Sequence, residues 1–161
     1  MVIEYKANEF ITPEEMQALE ESVGWGAHRT LERNRMALTG SLFVASARCK
    51  GQLVGLVRLV GDGAYILHVA GLTVHSDFQK KGIGRKLMQM AIRFARKRKI
   101  GTGSNLGEFT LFANVGAGAF YRRMGFSPAP NGMVLADDEV RRRHESRFQK
   151  AWKSKEKRLS R

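Results

Sequence analysis

Between a long apolar stretch and a basic amphipathic stretch, the chain reads QKKGIGRK, residues 79–86. The apolar stretch predicts a strand that ends near Val74, and the basic stretch predicts a helix that begins near Gly84. A glycine-rich turn at this place exposes unpaired backbone N–H groups, and the helix dipole adds positive potential there. Gly82 and Gly84 have no Cβ, so a ligand can approach their backbone closely. The stretch predicts an anion-binding turn, with a flexible turn into a basic helix as the alternative.

Two common nucleotide-binding patterns are absent from this turn. A dinucleotide-binding turn requires G-x-G-x-x-G, but Leu87 stands at the third glycine position. A P-loop requires G-x-x-x-x-G-K-[ST], which the stretch does not contain. The pattern that is present is Q-x-x-G-x-G.

The segments on either side of the turn predict a single-domain α/β protein with a mixed sheet. The predicted helices and strands are, in chain order, helices TPEEMQALEES (12–22) and LERNRMAL (31–38), strands LFVASARC (42–49), QLVGLVRLV (52–60) and AYILHVAGLTV (64–74), helix GRKLMQMAIRFARKRK (84–99), strand EFTLFA (108–113), helix GAGAFYRRM (116–124), and short strands FSPAP (126–130) and GMVLA (132–136). Turns at Lys50-Gly51 and Asp62-Gly63 make the first three strands an antiparallel meander. A strand, a crossover helix and a further strand form a parallel pair with a right-handed connection. We therefore expect a meander plus a parallel strand pair, flanked by helices.

Length and composition fit one globular domain. The chain has 161 residues, of which 43% are hydrophobic and 27% are charged. No apolar run reaches the roughly 18 residues that a spanning helix needs, and the N-terminus lacks the basic and apolar regions of an export signal. Cys49 is the single cysteine, which excludes an internal disulfide and a cysteine-based metal cluster. We expect a cytoplasmic protein with no membrane segment and no metal.

The charge is strongly positive and unevenly distributed. Twenty-eight Lys and Arg against fifteen Asp and Glu leave a net charge of +13, which attracts anions. Residues 80–99 contain nine basic side chains and no acid, and residues 137–161 contain ten basic and five acidic ones. We predict a folded domain over residues 1–136 and a basic extension, helical or disordered, over residues 137–161.

Two stretches together resemble the GCN5-related N-acetyltransferases, the GNAT family. They are LTVHSDFQKKGIGRKL, residues 72–87, and NVGAGAFYRRMGF, residues 114–126. The stretch 72–87 resembles the loop with which that family binds the pyrophosphate of acetyl-CoA, together with the strand before it. The stretch 114–126 is similar to the motif around the pantetheine arm and the acid tyrosine. The resemblance covers roughly residues 40–136 and implies an N-acetyltransferase with acetyl-CoA as cosubstrate.

The resemblance also implies a set of residues that bind acetyl-CoA. Main-chain N–H groups of the turn would hold the pyrophosphate, and the strand before it would line the pantetheine arm through its main chain. Asn114 would bond the same arm. The full set is Leu72, Thr73, Val74, Gln79, Lys80, Lys81, Gly82, Ile83, Gly84, Arg85, Asn114 and Tyr121. Gly71 in the middle of the strand is consistent with a bulge that opens the gap beside it.

Tyr121 and His68 are the predicted catalytic residues. Tyr121 stands where the family keeps the acid that protonates the departing thiolate. The strand AYILHVAGLTV contains no glutamate, so His68 is the predicted base, because imidazole titrates near working pH; a water relay is the alternative. Aligned on LTVH, His68 falls where the arylalkylamine N-acetyltransferase subgroup has one of two histidines, and Ala70 occupies the position of the other. By strand alternation, His75 points the opposite way.

Three functions fit these residues. The first is direct transfer of an acetyl group to a primary amine in a ternary complex. An aromatic or small aliphatic amine is slightly favoured by His68 and the stretch VGWGAHRT. Trp25 in that stretch either lines the pocket or belongs to the core. The second places the acceptor amine on RNA, for example an aminoacyl-tRNA that the positive charge would recruit. The third is a non-catalytic module that senses CoA or binds nucleic acid. Dimers are frequent in the family, so a homodimer is also compatible with the resemblance.

Overall fold

Five strands form one mixed sheet. A computed structural model of the protein describes residues 1–26, 29–100 and 108–128. Its strands are β1 (Glu4–Ala7), β2 (Phe43–Cys49), β3 (Gln52–Gly61), β4 (Ile66–Val74) and β5 (Glu108–Leu111). They lie side by side in sequence order, and neighbours are antiparallel except β4 and β5, which are parallel. The predicted meander plus a parallel strand pair is confirmed.

Strand β1 was not predicted from the sequence. Its four residues, EYKA, alternate polar and apolar side chains, but the run is short and mostly exposed. They form a strand because they pair with β2, where Glu4 lies opposite Arg48 and Ala7 lies opposite Ala45. A contact between distant segments, rather than a local pattern, decides this element.

Helices flank the sheet on both faces. Within the described residues they are α1 (Pro13–Glu21), α2 (Leu31–Thr39), α3 (Ile83–Lys97) and α4 (Gly118–Arg123), with one turn of 3-10 helix at Ser76–Phe78. Helix α1 begins where it was predicted, because the Thr12 hydroxyl accepts the Glu15 N–H and the Glu15 carboxylate accepts the Thr12 N–H. Helix α2 begins after Thr30, whose hydroxyl accepts the backbone N–H of Arg33.

Two tight turns shape the meander at the predicted positions. Lys50 and Gly51 have positive φ angles of 49° and 84°, the backbone conformation of a two-residue hairpin turn. The Asp62 carboxylate accepts hydrogen bonds from the backbone N–H groups of residues 64–66. These bonds turn the chain into β4, the strand that carries the predicted site.

Helix α3 covers one face of the sheet, and α1 and α2 cover the other. The side chains of α3 that are buried against the sheet are Ile83, Leu87, Met88, Ala91 and Ala95. On the opposite face, Met16 and Leu19 of α1 pack with Leu53 and Leu56 of β3, and Leu38 of α2 adjoins this cluster. Burial of apolar side chains on both faces holds the sheet between the two helical layers.

Few of the predictions for the C-terminal part of the chain fall on residues that the structure describes. The chain divides into a compact unit, Met1–Phe126, and a second unit, Ser127–Arg161. Residues 126–128, the start of the predicted strand FSPAP, are not in a strand. The remainder of that segment, the segment GMVLA and the predicted extension 137–161 lie outside the described residues, so the boundary at residue 136 stays a prediction. No helix in the described ranges is long and apolar enough to cross a membrane.

Candidate active site

A gap opens between β4 and β5 where their pairing stops. The parallel pairing begins with Ile66 opposite Glu108 and ends with Val69 opposite Leu111. Strand β4 continues to Val74, and its other edge is still paired with β3 there. On the β5 side, no strand of the described residues pairs with residues 70–74. The main-chain N–H and C=O groups on this edge are therefore available to a ligand.

A bulge in β4 lies at the mouth of this gap. Arg58 of β3 lies opposite Gly71, while the next residue, Leu59, lies opposite Val69, so Ala70 is the extra residue. A Cβ added to Gly71 would meet no atom within 4 Å, so this glycine faces open space. The bulge expected near Gly71 is present, one residue before it.

The bulge reverses the alternation of side chains along β4. Leu67 and Val69 before it, and Leu72 and Val74 after it, all pack against the core beneath α3. Without the extra residue, positions 67 and 72 would face opposite sides of the sheet. The expectation that His75 points away from His68 counted alternation through this bulge and past Val74, the last residue of β4, so it stays a prediction.

The turn between β4 and α3 presents its backbone to the same gap. Gly82 stands immediately before α3 with φ 81°, and no side chain caps this helix end. The first N–H groups of a helix have no partner inside the helix, so they are free to bind an anion. A Cβ on Gly82 would meet no atom of the protein within 4 Å. The residue keeps a left-handed conformation and leaves open space beside the free N–H groups.

Side chains of the turn differ in where they are directed. The Gln79 amide donates to the carbonyl of Val74 at 3.1 Å and so ties the turn to the end of β4. The Lys81 ammonium donates to the carbonyl of Asp77 at 2.7 Å and lies 5.1 Å from the ring centre of Phe78. Lys81 is therefore folded back onto the turn and does not line the cavity described next.

A cavity of about 1550 Å³ joins the gap, the turn and the helices around them. Most of the predicted site residues line it, namely Leu72, Val74, Gln79, Lys80, Gly82, Ile83, Gly84, Arg85, Asn114 and Tyr121. Three do not: Thr73, Lys81 and His68. Thr73 is buried, with 6% of its surface exposed.

Tyr121 lies on α4 at one side of the cavity. Its ring makes edge contacts with Phe120 and Phe126, with ring centres 5.1 Å and 6.1 Å away. Burial raises the pKa of the Tyr121 hydroxyl above its usual value near 10. The hydroxyl is therefore protonated at neutral pH and has a proton to give.

His68 lies on the other face of β4. Its neighbours Leu67 and Val69 belong to the core under α3, so the imidazole between them points towards the α1–α2 side. The Nδ1 atom lies 2.9 Å from the Thr110 hydroxyl, which itself donates to the carbonyl of Leu67 at 3.4 Å. The contact with Thr110 fixes the orientation of the imidazole ring, and either tautomer of the ring satisfies it.

His68 is neutral at pH 7 and lies next to the cavity. Burial lowers the pKa of the imidazole below its usual value of 6.5, so the neutral form predominates at pH 7. The ring of Phe112, which lines the cavity, lies 5.1 Å from the His68 ring. His68 thus adjoins the cavity behind Phe112.

The α1–α2 side of the cavity contains residues that were not predicted from the sequence. Arg33, Asn34 and Ala37 line it from α2, and Arg29 lines it from the segment before that helix. Asn34 and Ala37 follow Arg33 by one and four residues, which places the three α2 side chains on one face of a helix. No local feature of the sequence shows that this face meets a cavity. Trp25, for which pocket and core were both considered, lines the cavity, and the Arg29 guanidinium lies 5.4 Å from its ring centre.

A buried carboxylate supports this side of the cavity. Glu20 of α1 is 2% exposed and forms an ion pair with Arg29. Burial raises the pKa of Glu20, and the nearby Arg29 opposes this effect. The Asn34 amide also lies close enough to lower the pKa of Glu20, although its Nδ2 makes no hydrogen bond of standard geometry within the described residues. These contacts fix Arg29 and Asn34 against α1.

Comparison with known proteins identifies the family. The model of the acetyltransferase (GNAT) domain matches residues 39–128. The uncharacterized N-acetyltransferase ycf52 of Porphyra purpurea is 32% identical over 123 residues, which cover 74% of this chain and 67% of that protein. The histone acetyltransferase TAP1 of Glycine max is 31% identical over 130 residues, which cover 74% of this chain and 53% of that protein. The chain belongs to the GNAT family, and it is an acetyltransferase.

Solved structures agree with this assignment. A GNAT-family acetyltransferase of Streptococcus pneumoniae is 30% identical, with a TM-score of 0.71 over 85% of this chain and 99% of that one. A probable acetyltransferase of Staphylococcus aureus has a TM-score of 0.73 at 22% identity over 84% of this chain and all of that one, and this likeness concerns the fold. The enzymatic assignment sets the non-catalytic alternative aside. The likeness to the arylalkylamine subgroup gains no support from these relatives.

Proposed function

We propose that the protein transfers the acetyl group of acetyl-CoA to a primary amine by direct attack in a ternary complex. The observation that carries this proposal is the continuous cavity that runs from the free N-terminus of α3, along the unpaired edge of β4, to Tyr121 and the α2 side chains. Such a cavity can hold two substrates at once, one from each face of the sheet. Enzymes gain most from fixing two reactants in attack geometry, which a shared cavity of this kind favours.

Acetyl-CoA is proposed to bind on the α3 side. The backbone N–H groups from Gln79 to Gly84 would hold its diphosphate, with charge from Lys80 and Arg85. The free edge of β4 would pair with the amide groups of the pantetheine arm, and the Asn114 side chain would bond the same arm. The left-handed Gly82 and the open space around it support close approach of the diphosphate to the backbone.

Tyr121 is proposed as the general acid. When the amine attacks the thioester carbonyl, the C–N bond forms, the C–S bond breaks and the electron pair leaves on sulfur. The Tyr121 hydroxyl would give its proton to that thiolate. The raised pKa of this hydroxyl and its position on the cavity wall support the role.

His68 is proposed as the general base, acting from the α1–α2 side. Its neutral state supports proton acceptance from the ammonium form of the acceptor, which must lose a proton before the amine attacks. Phe112 lies between His68 and the cavity, so a water relay is the natural route for the proton. Base and acid would then lie on opposite faces of the sheet, one for each substrate.

An RNA-linked acceptor is the second candidate. The observation that favours it is the exposed basic surface of α3, in particular Arg93, Arg96 and Lys97, on the same helix whose N-terminus forms the proposed cosubstrate site. A cytoplasmic location and a homodimer also stay predictions, and neither bears on the chemistry of the cavity.

Release of the CoA thiol from acetyl-CoA tests the proposal. We expect release that depends on an added primary amine, with the acetylated amine found in equal amount by mass spectrometry. Running the assay at low salt and at about 0.15 M salt separates a small acceptor from one held through phosphates, because phosphate contacts weaken steeply with salt. Acetyl-CoA binding without transfer to any amine, RNA-linked amines included, would overturn the proposal.

A further inference from the structure

The charges that line the cavity are of one sign. Five cationic side chains line it, Arg29, Arg33, Lys80, Arg85 and Arg123, and no Asp or Glu among the described residues does so. Lys80 belongs to the turn before α3 and Arg85 to the first turn of that helix, and both are accounted for by a diphosphate. Arg29 and Arg33 lie at the other side of the sheet, which we name the acceptor end and define by Trp25, Arg29, Arg33, Asn34 and Ala37.

The acceptor end keeps a positive charge after its one nearby carboxylate is counted. Glu20 is paired with Arg29 and does not line the cavity. Arg33 makes no ion pair within the described part of the chain, and the acid next to it on α2, Glu32, is instead paired with Arg35. Two guanidinium groups against one carboxylate leave a net charge of +1 at this end.

A buried amide also lies at this end. Asn34 is 2% exposed and lines the cavity. Its amide lies close enough to Glu20 to lower the pKa of that carboxyl, so Glu20 is the acceptor already next to it. Guanidinium groups also bind carboxylate and phosphate oxygens in preference to neutral groups.

These observations point to a class of acceptor. We propose that the acceptor amine carries an anionic group, a carboxylate or a phosphate, which Arg33 binds at the acceptor end with help from Arg29. The inference rests on the proposed function and names its substrate class. Polycationic acceptors, such as diamines and lysine-rich peptides, would be repelled by the same charges.

A series of four-carbon amines tests the inference. 4-Aminobutyrate, butylamine and 1,4-diaminobutane share a reacting amine on the same chain and differ in the charge at the far end. We expect kcat/KM to fall in that order, with 4-aminobutyrate about tenfold or more above butylamine, as for loss of one hydrogen-bonded charge. Phosphoethanolamine against ethanolamine forms a second arm that distinguishes a phosphate from a carboxylate.

Arg33→Gln and Arg35→Gln are the matched variants. Both remove one arginine from α2, but only Arg33 lines the cavity. Arg33→Gln should lower kcat/KM for the anionic amines about tenfold and leave butylamine unchanged, while Arg35→Gln should change neither. Arg29 is avoided in this test because its loss would leave buried Glu20 without its partner.

The outcomes separate the inference from the function on which it rests. If kcat/KM were equal for the anionic and neutral amines, or higher for the neutral ones, the inference would be overturned while acetyl transfer stands. The same holds if Arg35→Gln lowered kcat/KM for the anionic amines as much as Arg33→Gln. If no amine of the series is acetylated, calorimetry measures the binding of 4-aminobutyrate to the CoA-loaded protein. Binding that is lost in Arg33→Gln supports the inference. Binding that is absent from the wild type, or unchanged in Arg33→Gln, overturns it. Failure of acetyl-CoA itself to bind would overturn the proposed function and the inference with it.

Discussion

At the scale of single residues, one physical effect prepares both proposed catalytic groups. Burial disfavours the charged form of a side chain. It therefore raises the pKa of the Tyr121 hydroxyl, which keeps its proton, and lowers the pKa of the His68 imidazole, which keeps its lone pair. The same desolvation makes one group a donor and the other an acceptor at neutral pH.

Tyr121→Phe should lower kcat by about 100-fold or more and leave the affinity for acetyl-CoA near that of the wild type. The change removes the proton donor but keeps the ring between Phe120 and Phe126. Thiol release measures kcat, and calorimetry measures the affinity. Tyr65→Phe, at an exposed tyrosine that does not line the cavity, is the matched control. Equal kcat in the two variants would show that Tyr121 is not the acid.

His68→Gln should lower kcat/KM by about 100-fold and change its dependence on pH. In the wild type, activity that needs neutral His68 falls as the pH drops through the lowered pKa, so this fall lies below the usual value of 6.5. The variant should lose that step. Thr110→Val, which removes the Nδ1 partner, should give a smaller loss and a displaced step. An unaltered profile of log(kcat/KM) against pH in His68→Gln would assign the base elsewhere.

At the scale of elements, the site depends on how strands and helices end. Strand β5 stops at Leu111 while β4 continues to Val74, and the bulge at Ala70 lies directly after the last pair of the two strands. Helix α3 begins after Gly82 without a side-chain cap. The groups proposed to bind acetyl-CoA are therefore unpaired main-chain atoms at element ends.

Gly82→Val should weaken acetyl-CoA binding by more than about tenfold, because a side chain there would occupy the space that the diphosphate is proposed to use. Gly51→Val is the matched control. Both glycines have positive φ, 81° and 84°, and neither has an atom within 4 Å of an added Cβ. Both variants should lose about 1–2 kcal/mol in the free energy of unfolding from backbone strain, measured in urea. If calorimetry gives the two variants the same affinity, the phosphates bind elsewhere.

At the scale of the whole molecule, the net charge of +13 is an attraction for anions with no preference among them. The sheet divides the described molecule into an α3 side, where basic residues surround the proposed cosubstrate site, and an α1–α2 side, where the four glutamates of α1 offset the arginines of α2. The gap between β4 and β5 connects the two sides.

Added RNA should leave the acetylation rate of 4-aminobutyrate unchanged at about 0.15 M salt, where electrostatic attraction beyond roughly 8 Å is screened. The physical reason is that a small acceptor needs no contact with the exposed arginines of α3. Thiol release with and without RNA, over a range of salt, is the measurement. Inhibition by RNA that higher salt relieves would favour the RNA-linked acceptor instead.

Local sequence determined much of this protein. The capping box at Thr12 and Glu15, the Lys50-Gly51 turn and the Gly82 helix start each depend on hydrogen bonds or steric limits within a few residues. The order of these elements predicted the mixed sheet, and two motifs separated by some thirty residues predicted the family. Ten of the twelve residues expected to bind acetyl-CoA line the cavity.

Only the tertiary structure decided the rest. Pairing with β2 makes β1 a strand, and pairing with β3 places the extra residue at Ala70, which reverses the alternation of side chains along β4. Packing of α2 brings Arg33 and Asn34 to the cavity, and the contact with Thr110 orients His68. These features join residues far apart in the chain, and the free energy of such contacts depends on the surrounding packing rather than on neighbours in sequence.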